Sequence, residues 1–390
     1  MHRINEISVV PFFQPIVCID TANIYGYEVL GRYRQNNLFE SLGHFFHNPD
    51  LSSQEKIRVD RMIRFKALDM MKMRNSKAKL FINIQPEWLL PYINQSMELP
   101  TIEQLTKYSI DGEQIIIEIS EDKCGDVNVL MEIIKRYRAV GCKIAIDDIG
   151  EGFSNLERVA LLNPDFIKVG AGFIHRSKSY SLLESMGGFC EKSGVNLVLE
   201  EVEDMKQFQM GLDAGVRYFQ GYLYAIPQPD ILDKASCAGI LHQGLDEYLD
   251  RKSSLQQKLN KLADDMNKFI AAASADIAET DPMFSPREYI NRLLPLAPNN
   301  CLKFYICSSR GEQLTPNYTR DHQKWLVEAD YIGRNWCWRP YFFPKVAEAN
   351  RMGRGVLSDP YQDLENRRQI YTFVFPINAA WFLFIDCQYD

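Results

Sequence analysis

The chain has 390 residues, of which 46% are apolar and 24% charged, and its formal net charge is −7. That length exceeds one ordinary hydrophobic core and suits two domains. The mild acidic balance argues against non-specific binding to duplex nucleic acid but leaves room for a local basic pocket. The start, Met1-His2-Arg3-Ile4-Asn5-Glu6, leads into no long apolar run, so no secretory signal is expected. The best candidate membrane span, Tyr371 to Cys387, is broken by Pro376, Asn378 and Asp386. It also falls short of the roughly 20 residues a spanning helix needs, so no membrane insertion is expected. The 9 cysteines are scattered without a CxxC pair. They read as free thiols in a reducing compartment, and the expected location is cytoplasmic.

Residues 1 to about 235 alternate short β-branched or aromatic runs with amphipathic stretches. The predicted strands are Leu80–Ile84, Gln114–Ile119, Lys143–Asp147, Phe166–Val169, Asn196–Leu199 and Tyr218–Leu223, with helices at Val127–Val140 and Tyr180–Ser193. Strand-helix repetition with continuous apolar strands predicts an α/β domain with a buried parallel sheet. Polar residues stand at or just past many strand ends: Asn83, Glu118, Asp147, Asp148, Lys168, Glu200 and Gln220. A closed barrel gathers such groups around one mouth, whereas an open sheet uses only its switch point.

From about 238 to 273 the pattern changes. Leu241, Leu245, Tyr248, Leu255, Leu259, Leu262, Met266 and Phe269 recur at heptad steps, with Lys252 on the seam. Such a stripe serves either a helix packed on its own domain or a connector helix that pairs with a second subunit. The Ala-rich segment and Asp-Pro-Met-Phe-Ser-Pro over 271–286 end it. A smaller α+β domain follows, with a helix at Pro286–Leu294, strands at Leu302–Cys307, Gln369–Phe375 and Trp381–Ile385, and helices on one side. The predicted division is 1–237, 238–282 and 283–390.

Acidic residues in the first domain suggest chemistry by their placement. Glu28, Glu118, Asp147, Asp148 and Glu200 lie at separate strand ends or loops, with Asn83 as a neutral oxygen donor. Gathered at one mouth they would repel one another unless cations intervened. Hard oxygens suit Mg²⁺ or Mn²⁺, and two such ions about 4 Å apart could stabilise a phosphoryl group and activate water. Scattered acids are equally compatible with solvated loops.

Local motifs decide between these. They run in order: Phe13-Gln14-Pro15-Ile16, Glu28-Val29-Leu30-Gly31-Arg32, Phe81-Ile82-Asn83-Ile84, Glu118-Ile119-Ser120-Glu121, Asp147-Asp148-Ile149-Gly150-Glu151-Gly152-Phe153-Ser154, Asp165-Phe166-Ile167-Lys168, Glu200-Glu201-Val202-Glu203 and Gln220-Gly221-Tyr222-Leu223. In this order and spacing, residues 8–230 resemble the EAL family of cyclic di-GMP phosphodiesterases. The resemblance implies a modified (β/α)₈ (TIM) barrel with an antiparallel first strand, and hydrolysis of cyclic di-GMP to linear pGpG. It matches Glu28, Asn83, Glu118, Asp147, Asp148 and Glu200 to ligands of two Mg²⁺ or Mn²⁺ ions. Lys168 matches the residue that positions the attacking water, and Glu28, Glu200 and Glu203 complete the catalytic set. Gln14, Arg32, Asp148, Gln220 and Gly221 match groups that contact or support the nucleotide. Glu121, Gly150 and Gly152 match a loop that couples catalysis to dimer contacts. A homodimer through the barrel and the connector helix is therefore expected.

The chain departs from the family pattern at Val29, Ile149, Glu151, Phe153, Gly170 (usually aspartate) and Glu201 (usually glycine). None is a first ligand, but each could displace one that is. Two functions therefore stand: a metal-dependent phosphodiesterase, and a receptor of low or conditional activity that signals through a partner. No Gly-Gly-Asp-Glu-Phe segment and no Walker motif occurs. In the last domain His322 is isolated. The aromatic run 335–343 and Ser358-Asp359-Pro360-Tyr361 resemble PAS-like or Cache sensor domains, with Trp338, Arg339, Tyr341 and Asp359 as a candidate pocket for an unknown small ligand.

Overall fold

The computed structural model describes residues 8–35, 38–120, 126–147, 149, 156–172, 180–275, 285–322, 324–365 and 367–388. The chain divides into two compact units, 1–248 and 249–390.

Among the described residues the first unit has nine strands: β1 (Val9–Cys18), β2 (Asn23–Gln35), β3 (Leu38–Ser41), β4 (Lys79–Ile84), β5 (Ile115–Ser120), β6 (Lys143–Asp147), β7 (Phe166–Gly170), β8 (Asn196–Glu200) and β9 (Tyr218–Gln220). Their order is β1-β9-β8-β7-β6-β5-β4-β2, and β1 pairs again with β2, which closes an eight-stranded barrel. β3 lies outside the ring on β2. β1 runs antiparallel to β2 and β9, while β2 and β4–β9 pair in parallel.

Side chains alternate across a strand, and that period builds the interior in layers. Ile16, Phe81, Ile116, Ala145, Phe166, Val198 and Tyr218 fill one inner layer. Two residues nearer the barrel mouth stand Asn83, Glu118, Asp147, Lys168, Glu200 and Gln220, each two positions later in its strand, and Gln14, two positions earlier in the antiparallel β1. The intervening Ile82, Ile117, Ile146, Ile167, Leu199 and Phe219 face outward and pack beneath the helices. One of those helices, Ser53–Met73, begins with a capping box of Ser52 and Glu55, and another, Met205–Asp213, with one of Asp204 and Gln207.

The predicted strand Tyr218–Leu223 stops at Gln220. A Cβ on Gly221 would fall 2.1 Å from the Val202 carbonyl oxygen and 2.3 Å from its nitrogen, so only glycine lets the chain turn against this backbone. The Val202 nitrogen donates to the Gln220 carbonyl (3.0 Å), and the Leu223 nitrogen donates to that of Val202 (2.9 Å).

The long helix spans Ala238–Ser274, and the division between the units falls within it. Leu241 is buried in the core of the first unit, and Leu262, Met266 and Ile270 in that of the second. Leu249 and Leu255 between them are exposed. The heptad stripe thus serves its own domains at both ends and is open in the middle.

The second unit is an open antiparallel sheet in which the strand Cys301–Ser308 pairs with Asn317–Asp321 on one side and Trp381–Cys387 on the other, Asn317–Asp321 pairs outward with Lys324–Glu328, and Trp381–Cys387 pairs with Gln369–Pro376, which carries Val356–Leu357 and Tyr361–Gln362. Its strands are β10 (Cys301–Ser308), β11 (Asn317–Asp321), β12 (Lys324–Glu328), β13 (Val356–Leu357), β14 (Tyr361–Gln362), β15 (Gln369–Pro376) and β16 (Trp381–Cys387). Phe304, Ile306, Leu383 and Ile385 pack with Tyr289, Ile290 and Leu293 of the helix Pro286–Leu293. Tyr305, Cys307, Phe382 and Phe384 pack with Phe342, Val346 and Ala349 of the helix Phe342–Met352. The expectation of helices on one side is thereby corrected: β10 and β16 are apolar on both faces, and both are covered.

Candidate functional site

The polar layer of the barrel converges at the strand ends. Lys168, on β7, is fully buried. Its Nζ lies 2.5 Å from Glu118 Oε1 and from Glu200 Oε1, 3.5 Å from Glu28 Oε2 and 3.7 Å from Asp147 Oδ2. Asn83 Nδ2 donates to Glu28 Oε1 at 3.0 Å and to Glu118 Oε2 at 2.9 Å. Gln220 Nε2 donates to Glu28 Oε2 at 2.6 Å and to Gln14 Oε1 at 3.1 Å. Gln14 in turn donates to the Ala225 carbonyl at 3.4 Å. Every ring strand contributes one residue to this network.

Four carboxylates facing one ammonium carry three negative charges in excess when ionised. Burial raises the carboxyls of Glu118 and Glu200 well above the usual range. Lys168 opposes that shift, and the neighbouring acids add to it. Burial disfavours the Lys168 charge too, but Asp147, Glu118, Glu200 and Glu28 outweigh it and hold the ammonium protonated.

The site therefore lacks positive charge, and its donors are hard oxygens, which fits a divalent cation. Gln220 Oε1 adds a buried acceptor with no hydrogen-bond partner among the described residues. Among the described residues no three acids already stand in chelating geometry.

A cavity of about 650 Å³ opens on this layer, lined by Gln14, Glu28, Asp147, Glu200, Glu203 and Gln220. Glu203 is held at its mouth because its backbone nitrogen donates to Gln207 Oε1 at 2.7 Å. Arg32 lies on β2 beyond Glu28 and lines a neighbouring cavity of about 290 Å³ with Asn83 and Leu30. Asp148, Glu121, Gly150 and Gly152 lie outside the described residues.

The structure also brings in residues that the sequence did not assign to the site. Tyr222, 61% exposed, lines the acidic cavity, as does Gln207. Glu201 does so too, from a backbone at φ 55° that side chains rarely adopt. Its carboxylate fills the space above Gly170, where a Cβ would stand 3.3 Å from Glu201 Oε2. The two departures from the family pattern are thus spatial neighbours.

In the second unit Arg339 and Tyr341 line a cavity of about 400 Å³. Trp338, expected in the pocket, is 61% exposed and is not among the lining residues; its ring stands 4.9 Å from the Arg339 guanidinium on the solvent side. Asp359 is exposed and is not among the lining residues; the acids there are Asp386, Asp363 and Glu365. Asp386 lies in the strand Trp381–Cys387, 27 residues further along, so no local motif links it to Arg339.

The family model described as the EAL domain matches residues 2–227, and the chain belongs to that family. A second, described as the EAL-domain associated signalling protein domain, matches residues 231–390. Within the family the chain is 30% identical over 388 residues to YkuI, an EAL-domain containing protein of Bacillus subtilis (strain 168). That match covers 98% of this chain and 95% of the other. The crystal structure of B. subtilis YkuI, described as a complex with substrate c-di-GMP and calcium, matches with a TM-score of 0.91 at 29% identity, covering 99% and 98% of the two chains. Probable cyclic di-GMP phosphodiesterase PdeB of Escherichia coli (strain K12) is 26% identical over 228 residues, 56% of this chain and 43% of that protein.

Proposed function

We propose that the barrel mouth binds cyclic di-GMP together with divalent cations, and that the chain is a receptor whose hydrolytic activity is low or conditional. The observation that carries this is the polar ring itself. Eight strands each give one polar side chain to a single network, and five of these, Gln14, Glu28, Asp147, Glu200 and Gln220, line the acidic cavity, in a chain similar over nearly its full length to one whose structure is described as a complex with c-di-GMP and calcium.

Glu28, Asn83, Glu118, Asp147 and Glu200 would hold Mg²⁺ or Mn²⁺, joined by Asp148 in the family reading. Such a cation, when bound, supplies charge stabilisation at the phosphoryl group and lowers the pKa of bound water. The chain's own groups do the rest. Arg32 offers a planar fork suited to a phosphate. Gln220 fixes the Glu28 carboxylate and Gln14, while Gly221 lets the backbone turn beside the ligand. Lys168 engages one oxygen of Glu118 and one of Glu200, so the ammonium and a cation would share these acids, and the departures at Gly170 and Glu201 beside Glu200 favour the conditional reading.

The second reading is hydrolysis to linear pGpG, favoured by the retained set of acids around Lys168. Water adds to phosphorus, the ribose 3′-oxygen leaves and takes up a proton, and Lys168 with Glu200 and Glu203 orients the water. Regulation would come through Glu121, Gly150 and Gly152, through a homodimer using the barrel and the long helix, and through a PAS-like or Cache-like sensor in the second unit of a cytoplasmic protein. Among the described residues no helix is long and apolar enough to cross a membrane.

The test combines calorimetric titration of purified protein with cyclic di-GMP and Mg²⁺ or Mn²⁺, and chromatographic measurement of pGpG. Cation-dependent binding that Glu28→Ala abolishes, with little pGpG, is expected. Steady turnover by the native chain would replace the receptor with the enzyme, and absence of nucleotide binding with either metal would sink both.

A further inference from the structure

The cavity of the second unit has a chemistry of its own. One wall is aromatic. Tyr341 and Tyr361 stack at 4.9 Å, and the hydroxyls of Tyr305 and Tyr361 both approach that of Tyr341, at 3.5 and 3.4 Å. Trp336 is held in place by its indole nitrogen, which donates to Gln313 Oε1 at 2.7 Å. Arg339 lies against this wall, its guanidinium 5.5 Å from the Tyr361 ring centroid and 5.9 Å from that of Trp336. Its Nε is buried without a hydrogen-bond partner, and among the described residues no carboxylate lies within ion-pair distance of it. A buried guanidinium nitrogen that donates to nothing is costly, and a ligand oxygen would satisfy it.

Asp386 is the second pole. It is 6% exposed and receives one hydrogen bond, from Thr372 Oγ1 to Oδ1 at 2.8 Å. The Tyr361 hydroxyl lies 2.7 Å from the same Thr372 oxygen, so the aromatic wall runs from Arg339 to the carboxylate. Lys303 is the nearest ammonium, but it is 3.0 Å from Glu365 Oε2 and shared with that acid. Burial lifts the Asp386 carboxyl to about 6, the mark of a buried charge that Lys303 and Arg339 compensate only in part. Tyrosine faces beside a carboxylate favour an ammonium.

Charge over the whole cavity selects between ligand classes. Lys303, Arg334 and Arg339 stand against Asp363, Glu365 and Asp386. A simple anion would be met by three acids, and a simple cation by three bases. A molecule that carries both charges meets each at its own pole. The volume of about 400 Å³ admits something of amino-acid size and excludes a dinucleotide.

We propose that this cavity binds a small zwitterion, an α-amino acid or a close amine-carboxylate analogue, with its carboxylate on Arg339 and its ammonium on Asp386 within the tyrosine wall. This deepens the sensor reading of the second unit and is independent of nucleotide binding in the barrel.

The full chain is titrated, without nucleotide or metal, with a panel of the twenty α-amino acids, γ-aminobutyrate and glycine betaine. Acetate and methylammonium are added separately as single-charge controls. Thermal unfolding and calorimetry are the readouts. At least one zwitterion should raise the unfolding temperature and bind one to one, while both controls leave it unchanged. Arg339→Gln and Asp386→Asn should each weaken that binding at least tenfold, and Glu28→Ala, which disables the barrel site, should leave it intact. Arg339 is only half buried, so its variant decides the matter if Asp386→Asn misfolds. No response to any zwitterion, an equal response to acetate alone, or undiminished binding in Arg339→Gln would overturn the proposal.

Discussion

The barrel mouth and the C-terminal cavity both bury charge, by opposite means. In the barrel, one residue per strand is set by register, and negative charge exceeds positive around Lys168. In the cavity, residues from a loop, a helix start and strands meet across an aromatic wall, and bases balance acids. An excess of buried acid calls for cations from outside. A balanced but separated pair calls for a ligand with two poles. The same residue types therefore serve different ligands according to how their charges sum.

The largest effect that could break this comparison is at Lys168. Lys168→Met leaves four acids without their buried cation, and a loss of about 3–5 kcal/mol is expected at neutral pH by urea unfolding. The sign with pH follows from the raised carboxyls of Glu118 and Glu200. The native state there holds protons that the unfolded state releases, so the variant regains stability as pH falls from 7 toward the ordinary carboxyl range. A loss that did not vary with pH would mean that packing, not charge, is what Lys168 supplies.

The cavity should respond more weakly and in a narrower window. The Asp386 carboxyl is raised from 3.8 to about 6, so its burial costs nothing below pH 4 and up to about 3 kcal/mol above pH 6. Asp386→Asn keeps an acceptor for Thr372 and should flatten the fall in stability between pH 4 and 7. If the slope persists in the variant, another group causes it.

The smallest effect tests the pair at the barrel rim. Glu201→Gly relieves a left-handed backbone and should stabilise by about 1 kcal/mol. Gly170→Asp alone should destabilise, since its carboxylate meets that of Glu201. The double variant should recover, with a coupling of about 1 kcal/mol in a double-mutant cycle. Simple additivity would show that the two side chains do not meet.

Much of the barrel was legible in the chain because its information is periodic. A polar residue two positions past a buried one, repeated strand after strand from Phe81 and Asn83 to Tyr218 and Gln220, can be read without contacts. The end of β9 could not, because the turn at Gly221 depends on the backbone of Val202, which is distant in sequence. The C-terminal pocket was half legible. Arg339 and Tyr341 stood out in an aromatic run, but Asp359, the acid next along the motif, points away from the role that Asp386 takes up. Strand pairing across β15 and β16 brings Thr372 to Asp386, and no local spacing encodes that. The open middle of the heptad stripe was likewise invisible, because the pattern alone does not show which turns the two domains use.

The contact between Gly170 and Glu201 also bears on how such a barrel can change over generations. Two positions that share one volume cannot vary as independent letters. An acid enters at 170 at less cost after 201 has been shortened; the reverse order passes through a form in which two carboxylates crowd one another. The less costly route between this arrangement and its mirror, an acid at 170 with glycine at 201, therefore runs through a chain with glycine at both. Ancestors or relatives with that pair of glycines are the stepping stones to seek.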